Sequence, residues 1–89
     1  MPGEYDDNKE IIRSIISRIT NLPQSQINDD AQLGRELPAD SLTMLEIAMA
    51  LEQRFKIMIP DADYPELLSL DAIAKRVSEL QQKRDVAVA

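Results

Sequence analysis

The chain has no histidine, no cysteine and no tryptophan, and only two tyrosines and one phenylalanine. Those gaps exclude an imidazole base, a thiolate nucleophile, a Cys/His zinc site and a disulfide framework. Catalysis by the chain's own residues alone is therefore not expected. Long apolar runs are missing too. No stretch approaches the roughly 20 residues a bilayer-spanning helix needs, and the amino terminus lacks the apolar segment of a signal peptide. A cytoplasmic protein without membrane insertion is expected. Positive charge is scarce, with ten Lys+Arg against sixteen Asp+Glu and a net charge of −6 at pH 7. That balance argues against nucleic acid as a partner and for proteins with basic surfaces. The remainder is ordinary: 44% hydrophobic and 29% charged residues place the chain among globular proteins. At 89 residues it has room for one domain with one small core.

The chain divides simply. Residues 1–7 are polar and include Pro2 and Gly3, residues 83–89 end in a short Val/Ala tail, and both read as flexible ends around a domain over 8–82. Between Asn8 and Thr20, Ile11, Ile12, Ile15, Ile16 and Ile19 fall within an arc of about 140° at helical spacing, predicting one amphipathic helix. Asp7 or Asn8 is its expected cap, and Lys9, Arg13, Ser14, Ser17 and Arg18 its expected solvated face. Residues 21–40 hold Pro23, Gly34, Pro38 and several Asn/Asp without a sustained period. They predict a long loop with at most one short turn, pinned across the core by Ile27, Leu33 and Leu37.

Residues 41–55 predict a second helix with two apolar arcs. Met44, Ile47, Ala48, Leu51 and Phe55 form a stripe of normal core width, about 140° to 240° from Leu42. Leu42, Leu45 and Met49 form a separate set, bordered by Glu52 on one side and by Gln53 and Glu46 on the other. A helix in a small bundle rarely buries both arcs, so the second is either the wide centre of the bundle or a docking surface rimmed by charge. Pro60 ends any continuation. Pro65 is expected to open one short turn, with Glu66, Leu67 and Leu68 after it. Leu70, Ile73, Ala74, Val77 and Leu80 then predict a third long helix capped by Ser69. Three long helices, one short one and no alternating strand pattern define an all-α, four-helix bundle with a long loop between its first two helices.

Asp40-Ser41-Leu42 stands where that loop meets the second helix. Asp and Ser are common caps there, and capping alone accounts for the tripeptide. A serine at a helix amino terminus also lies beside unpaired backbone N–H groups and the positive end of the helix dipole, where a phosphate ester is favoured. With no base beside it, such a hydroxyl is a poor nucleophile but a good acceptor for a group delivered by another enzyme.

The run Ile27-Asn28-Asp29-Asp30-Ala31-Gln32-Leu33-Gly34-Arg35-Glu36-Leu37-Pro38-Ala39-Asp40-Ser41-Leu42, continued by Glu46, Met49-Ala50-Leu51-Glu52, Phe55 and Ile59-Pro60-Asp61, resembles the discrete acyl carrier proteins over about residues 8–80. The resemblance implies a monomeric four-helix bundle whose Ser41 carries 4′-phosphopantetheine, attached by a separate phosphopantetheinyl transferase. The thiol of that group holds acyl intermediates as thioesters for fatty-acid, lipid or polyketide enzymes with basic docking patches. It further implies that Asp40 positions the serine and recruits the transferase, and that Leu42, Leu45, Glu46, Met49 and Glu52 face partners. In the family the acyl chain lies between helices, where Met44, Ala48, Leu51, Phe55, Leu67 and Leu68 would contribute, although a plain packed core explains the same residues. A chain without cysteine needs an added thiol to carry a thioester, which agrees with this reading. Pro38 stands where the family usually has glycine, Thr43 where fatty-acid carriers often have an acid, and Pro65 alters the short helix. These departures point to a specialised pathway at least as readily as to housekeeping fatty-acid synthesis. The rival expectation is a non-enzymatic acidic helical adaptor that binds a protein through the same helix and carries no cofactor.

Overall fold

A computed structural model describes residues 2–33, 35 and 40–88, and side chains among them from 7 to 83. Helix α1 runs Pro2–Thr20, α2 Ser41–Phe55 and α3 Leu70–Val88, with short 3-10 turns at Gln24–Gln26 and Asp61–Glu66. The second of these is the fourth, short helix of an all-helical bundle. Among the described residues the only extended pairing is one isolated bridge between Gln32 and Ser69.

Helix α1 packs against both other long helices. Its Ile12, Ile15 and Ile16 are buried and Ile11 and Ile19 partly so, as the periodicity predicts. Its start differs from expectation. The helix begins at Pro2, so Asp7 and Asn8 lie inside it and cap nothing. Proline is accepted in a first helical turn, where its missing N–H would have no partner anyway. Asn8 is instead buried, and its Nδ2 donates to Gln81 Oε1 at 3.0 Å. That bond joins α1 to α3, which runs to Val88.

The polar side of α1 is also more than a solvated face. Lys9 Nζ donates to Asp29 Oδ2 at 2.7 Å, Arg13 Nε donates to the Ile27 carbonyl at 2.9 Å, and another Arg13 nitrogen pairs with Asp29 Oδ1. Both cations are held in the first half of the loop. The Asp29 carbonyl accepts from Asp71 N at 2.9 Å, and Leu33 N donates to the Leu68 carbonyl at 2.7 Å. Ile27, Ala31 and Leu33 are buried. Charge on α1, backbone groups of Leu68 and Asp71 and three apolar side chains together hold residues 27–33. Leu37, Gly34 and Pro38 lie outside the described residues.

Ile47, Ala48, Leu51 and Phe55 of α2 meet Ile73, Ala74 and Val77 of α3 in one buried cluster. Ser69 caps α3 as expected, its Oγ accepting from Ala72 N at 3.1 Å. Pro65 does not open the short turn; it sits inside one that starts at Asp61 after Pro60. Asp63 N reaches the Pro60 carbonyl at 2.9 Å and Leu67 N the Tyr64 carbonyl at 3.1 Å, so the missing Pro65 N–H costs only one rung. Arg76 Nε on α3 anchors the turn through Asp63 Oδ2 at 2.7 Å.

Candidate functional site

The amino end of α2 is built by Asp40. Its extended backbone (φ −82°, ψ −176°) turns the loop into the helix, and its Oδ1 accepts from Thr43 N at 2.8 Å. The Thr43 amide, and then the Thr43 side chain, hold the Asp40 carboxyl below its ordinary value of 3.8. A depressed folded-state pKa means that this stabilisation is present above the ordinary carboxylate pKa and is lost as pH falls through the lowered value. Asp40→Ala should lower Tm at neutral pH, and the gap from the unmodified chain should close as pH drops below about 4. Thermal melts between acid and neutral pH check this; an equal gap at both ends would remove the cap from the account.

Ser41 follows as the first residue of α2 and is exposed. The Asp40 carboxylate accepts through Oδ1 from the Thr43 amide. Beside Ser41 lies a cleft of about 330 Å³ walled by Leu33, Met44, Tyr64, Pro65, Leu67 and Leu68. Leu67 is buried, whereas Leu68 is half-exposed at the rim. Tyr64 is a wall residue that sequence periodicity did not single out, because it belongs to the irregular turn and not to a helical stripe. Desolvation, then Asp61 and Glu52, push its phenol above the usual tyrosine value, so it stays neutral. Met44 is only partly buried, placed between this cleft and the core.

The second apolar arc of α2 is outside. Leu42, Leu45 and Met49 are 64%, 41% and 52% exposed, and Glu46 is exposed among them. Glu52 stands apart from this group. It is half-buried, and its Oε2 accepts from Ile59 N at 2.8 Å, which ties the chain after α2 back onto the helix. Met58, 83% exposed just beyond Lys56, was not anticipated as a surface residue.

Ser41 thus offers an exposed hydroxyl at a capped helix end, a position chemically suited to accept a group delivered by another protein. The family described as "Phosphopantetheine attachment site" matches residues 10–77. The chain is 40% identical over 76 residues to the acyl carrier protein of Guillardia theta, covering 85% of this chain and 82% of that one. It is 31% identical over 70 residues to the acyl carrier protein of Helicobacter pylori strain J99, covering 79% and 90%, and 28% identical over 78 residues to that of Campylobacter lari, covering 88% and 96%. The chain belongs to the acyl carrier protein family, and its cofactor is 4′-phosphopantetheine. Carriage of acyl groups, and not cofactor-free adaptor binding, is its function. The local structure suits the group: the helix end favours a phosphodiester anion, the hydroxyl is unobstructed, and the cleft beside it has apolar walls.

Proposed function

We propose that Ser41 is the residue that carries the 4′-phosphopantetheine arm, and that the chain presents acyl thioesters to the enzymes of a fatty-acid, lipid or polyketide pathway. The observation that carries this reading is the exposed Ser41 hydroxyl at the first position of α2, inside the matched attachment region. When bound, the arm supplies the thiol that the chain lacks. The protein supplies position. Asp40, capping the Thr43 amide, holds the helix end, and the positive end of the α2 dipole lies beside Ser41. The catalytic base for attachment belongs to the transferase, since the Asp40 carboxylate is already held by Thr43. During attachment the Ser41 Oγ–P bond forms as a pyrophosphate P–O bond of coenzyme A breaks. Adenosine 3′,5′-bisphosphate leaves and the hydroxyl proton passes to the transferase.

Leu42, Leu45 and Met49, with Glu46 between them, form the face offered to partners. Carboxylates speed encounter with basic enzyme mouths, and exposed apolar side chains dock after contact. Such complexes are weak and salt-sensitive, as a carrier that must leave after each step requires. The protein acts in the cytoplasm as a monomer without catalytic residues of its own, and Pro38, Thr43 and Pro65 favour a specialised pathway. The test is intact mass after incubation with coenzyme A, magnesium and a broad-specificity phosphopantetheinyl transferase. The expected result is one added phosphopantetheinyl group per chain. Folded protein left unchanged by several transferases would end the proposal.

A further inference from the structure

The docking face is not uniformly acidic. From Leu42 through Leu45, Glu46 and Met49 the exposed stripe continues one turn further to Gln53, at the i+3/i+4 spacing that keeps residues on one side of a helix. There it opens into a groove of about 550 Å³ between α1 and α2. The groove has an apolar floor of Ile11, Ile15 and Ala50, and two exposed arginines, Arg18 and Arg54, on its walls. The one acid that lines it, Glu10, is engaged by Arg13 at 2.6 Å. Among the described residues neither Arg18 nor Arg54 forms an ion pair, and the Arg54 guanidinium rests 5.9 Å from the Phe55 ring centroid. In a chain of net charge −6, this is an apolar trough with surplus positive charge. By helical rise, Arg54 lies about 20 Å along α2 from Ser41.

We infer that the α1–α2 groove is a second docking contact, one that takes a carboxylate-bearing amphipathic helix of a partner enzyme. This rests on the carrier reading above and extends it to the partner. Basic residues at the enzyme mouth meet Asp40 and Glu46 near the serine, and an acidic helix about 20 Å away meets Arg18 and Arg54. The apolar floor buries that helix's leucine side. Charges of opposite sign at the two ends of α2 fix its direction on the enzyme, because reversing the carrier would set like charges against each other.

The probe is a short amphipathic peptide with leucines at i, i+4 and i+7 and glutamates on its other face, titrated into the 15N-labelled full chain after treatment with the transferase. The control is the same peptide with lysine in place of every glutamate. Amide shifts at Ile11, Ser14, Ala50 and Gln53 with the glutamate peptide, absent with the lysine peptide, are expected. The double substitution Arg18→Glu, Arg54→Glu should weaken the glutamate peptide at least about tenfold while leaving helical content and phosphopantetheinylation unchanged. The Arg18→Gln, Arg54→Gln pair should have a smaller effect in the same direction. Shifts located elsewhere, equal response to both peptides, or undiminished binding by the charge-reversed chain would overturn the inference. Failure of the unsubstituted chain to gain mass would instead strike the carrier reading, so the two failures are separable.

Discussion

Ser41→Ala is expected to abolish the mass gained from coenzyme A while leaving the helical content and thermal stability nearly unchanged. The side chain is exposed, and capping of α2 is performed by the preceding Asp40. Removing one surface hydroxyl at a first helical position takes away no buried contact, and surface changes of this kind fall within about 0.5 kcal/mol. Loss of modification, by contrast, should be complete, since no neighbouring hydroxyl has the same position: Thr43 is two residues into the helix with its side chain turned onto Asp40. Intact mass, circular dichroism and a thermal melt on the same sample decide it. A modified alanine variant would move the attachment to another hydroxyl. An unmodified but unfolded one would reveal a structural role for Ser41.

Two leucines of α2 should behave oppositely. Leu51 is completely buried, and Leu51→Ala both removes apolar area and leaves a cavity, at a cost of about 2–5 kcal/mol. For a chain this short, whose whole stability is on the order of 4–13 kcal/mol, that translates into a Tm lower by about 10–30 °C. Leu45 is 41% exposed, so Leu45→Ala should shift Tm by only a few degrees while weakening productive contact with the transferase or a downstream enzyme. The pair is read by thermal melts alongside the concentration dependence of modification. Equal destabilisation by both would mean that the second apolar arc belongs to the core and is no docking face.

That contrast shows where sequence reasoning stops. The periodicity of α2 identifies two apolar arcs but cannot choose which one is covered, because both satisfy helical spacing equally well. The choice is made by what lies opposite: Ile73, Ala74 and Val77 of α3, with Ile12 and Ile16 of α1, complete one cluster with Ile47, Ala48 and Leu51, whereas Leu42 and Met49 stay more than half exposed. Glu52 shows the same limit. As a carboxylate beside the outer arc it reads as part of a rim, yet the chain reverses after Lys56, which takes the left-handed conformation (φ 58°), and brings the Ile59 amide to its Oε2. Lys9 and Arg13 read as solvated because their partner Asp29 is distant in sequence and lies in a loop with no period of its own.

Local chemistry decided the rest without help from the fold. The lack of cysteine leaves the chain without a thiol of its own, so a carrier of thioesters needs one added. The 3.6-residue repeats marked out the cores of all three long helices, and Asp40-Ser41-Leu42 located the helix end where a phosphate ester would be favoured. These are short-range properties, carried by residues within a few positions of one another. Tertiary structure alone decided which arc of α2 meets solvent, that Asp29 gathers two cations to fix the loop, and that α1 and α2 leave an arginine-walled groove between them. Each of those depends on side chains that approach only when separate helices pack, and that information resides in no single stretch of the chain.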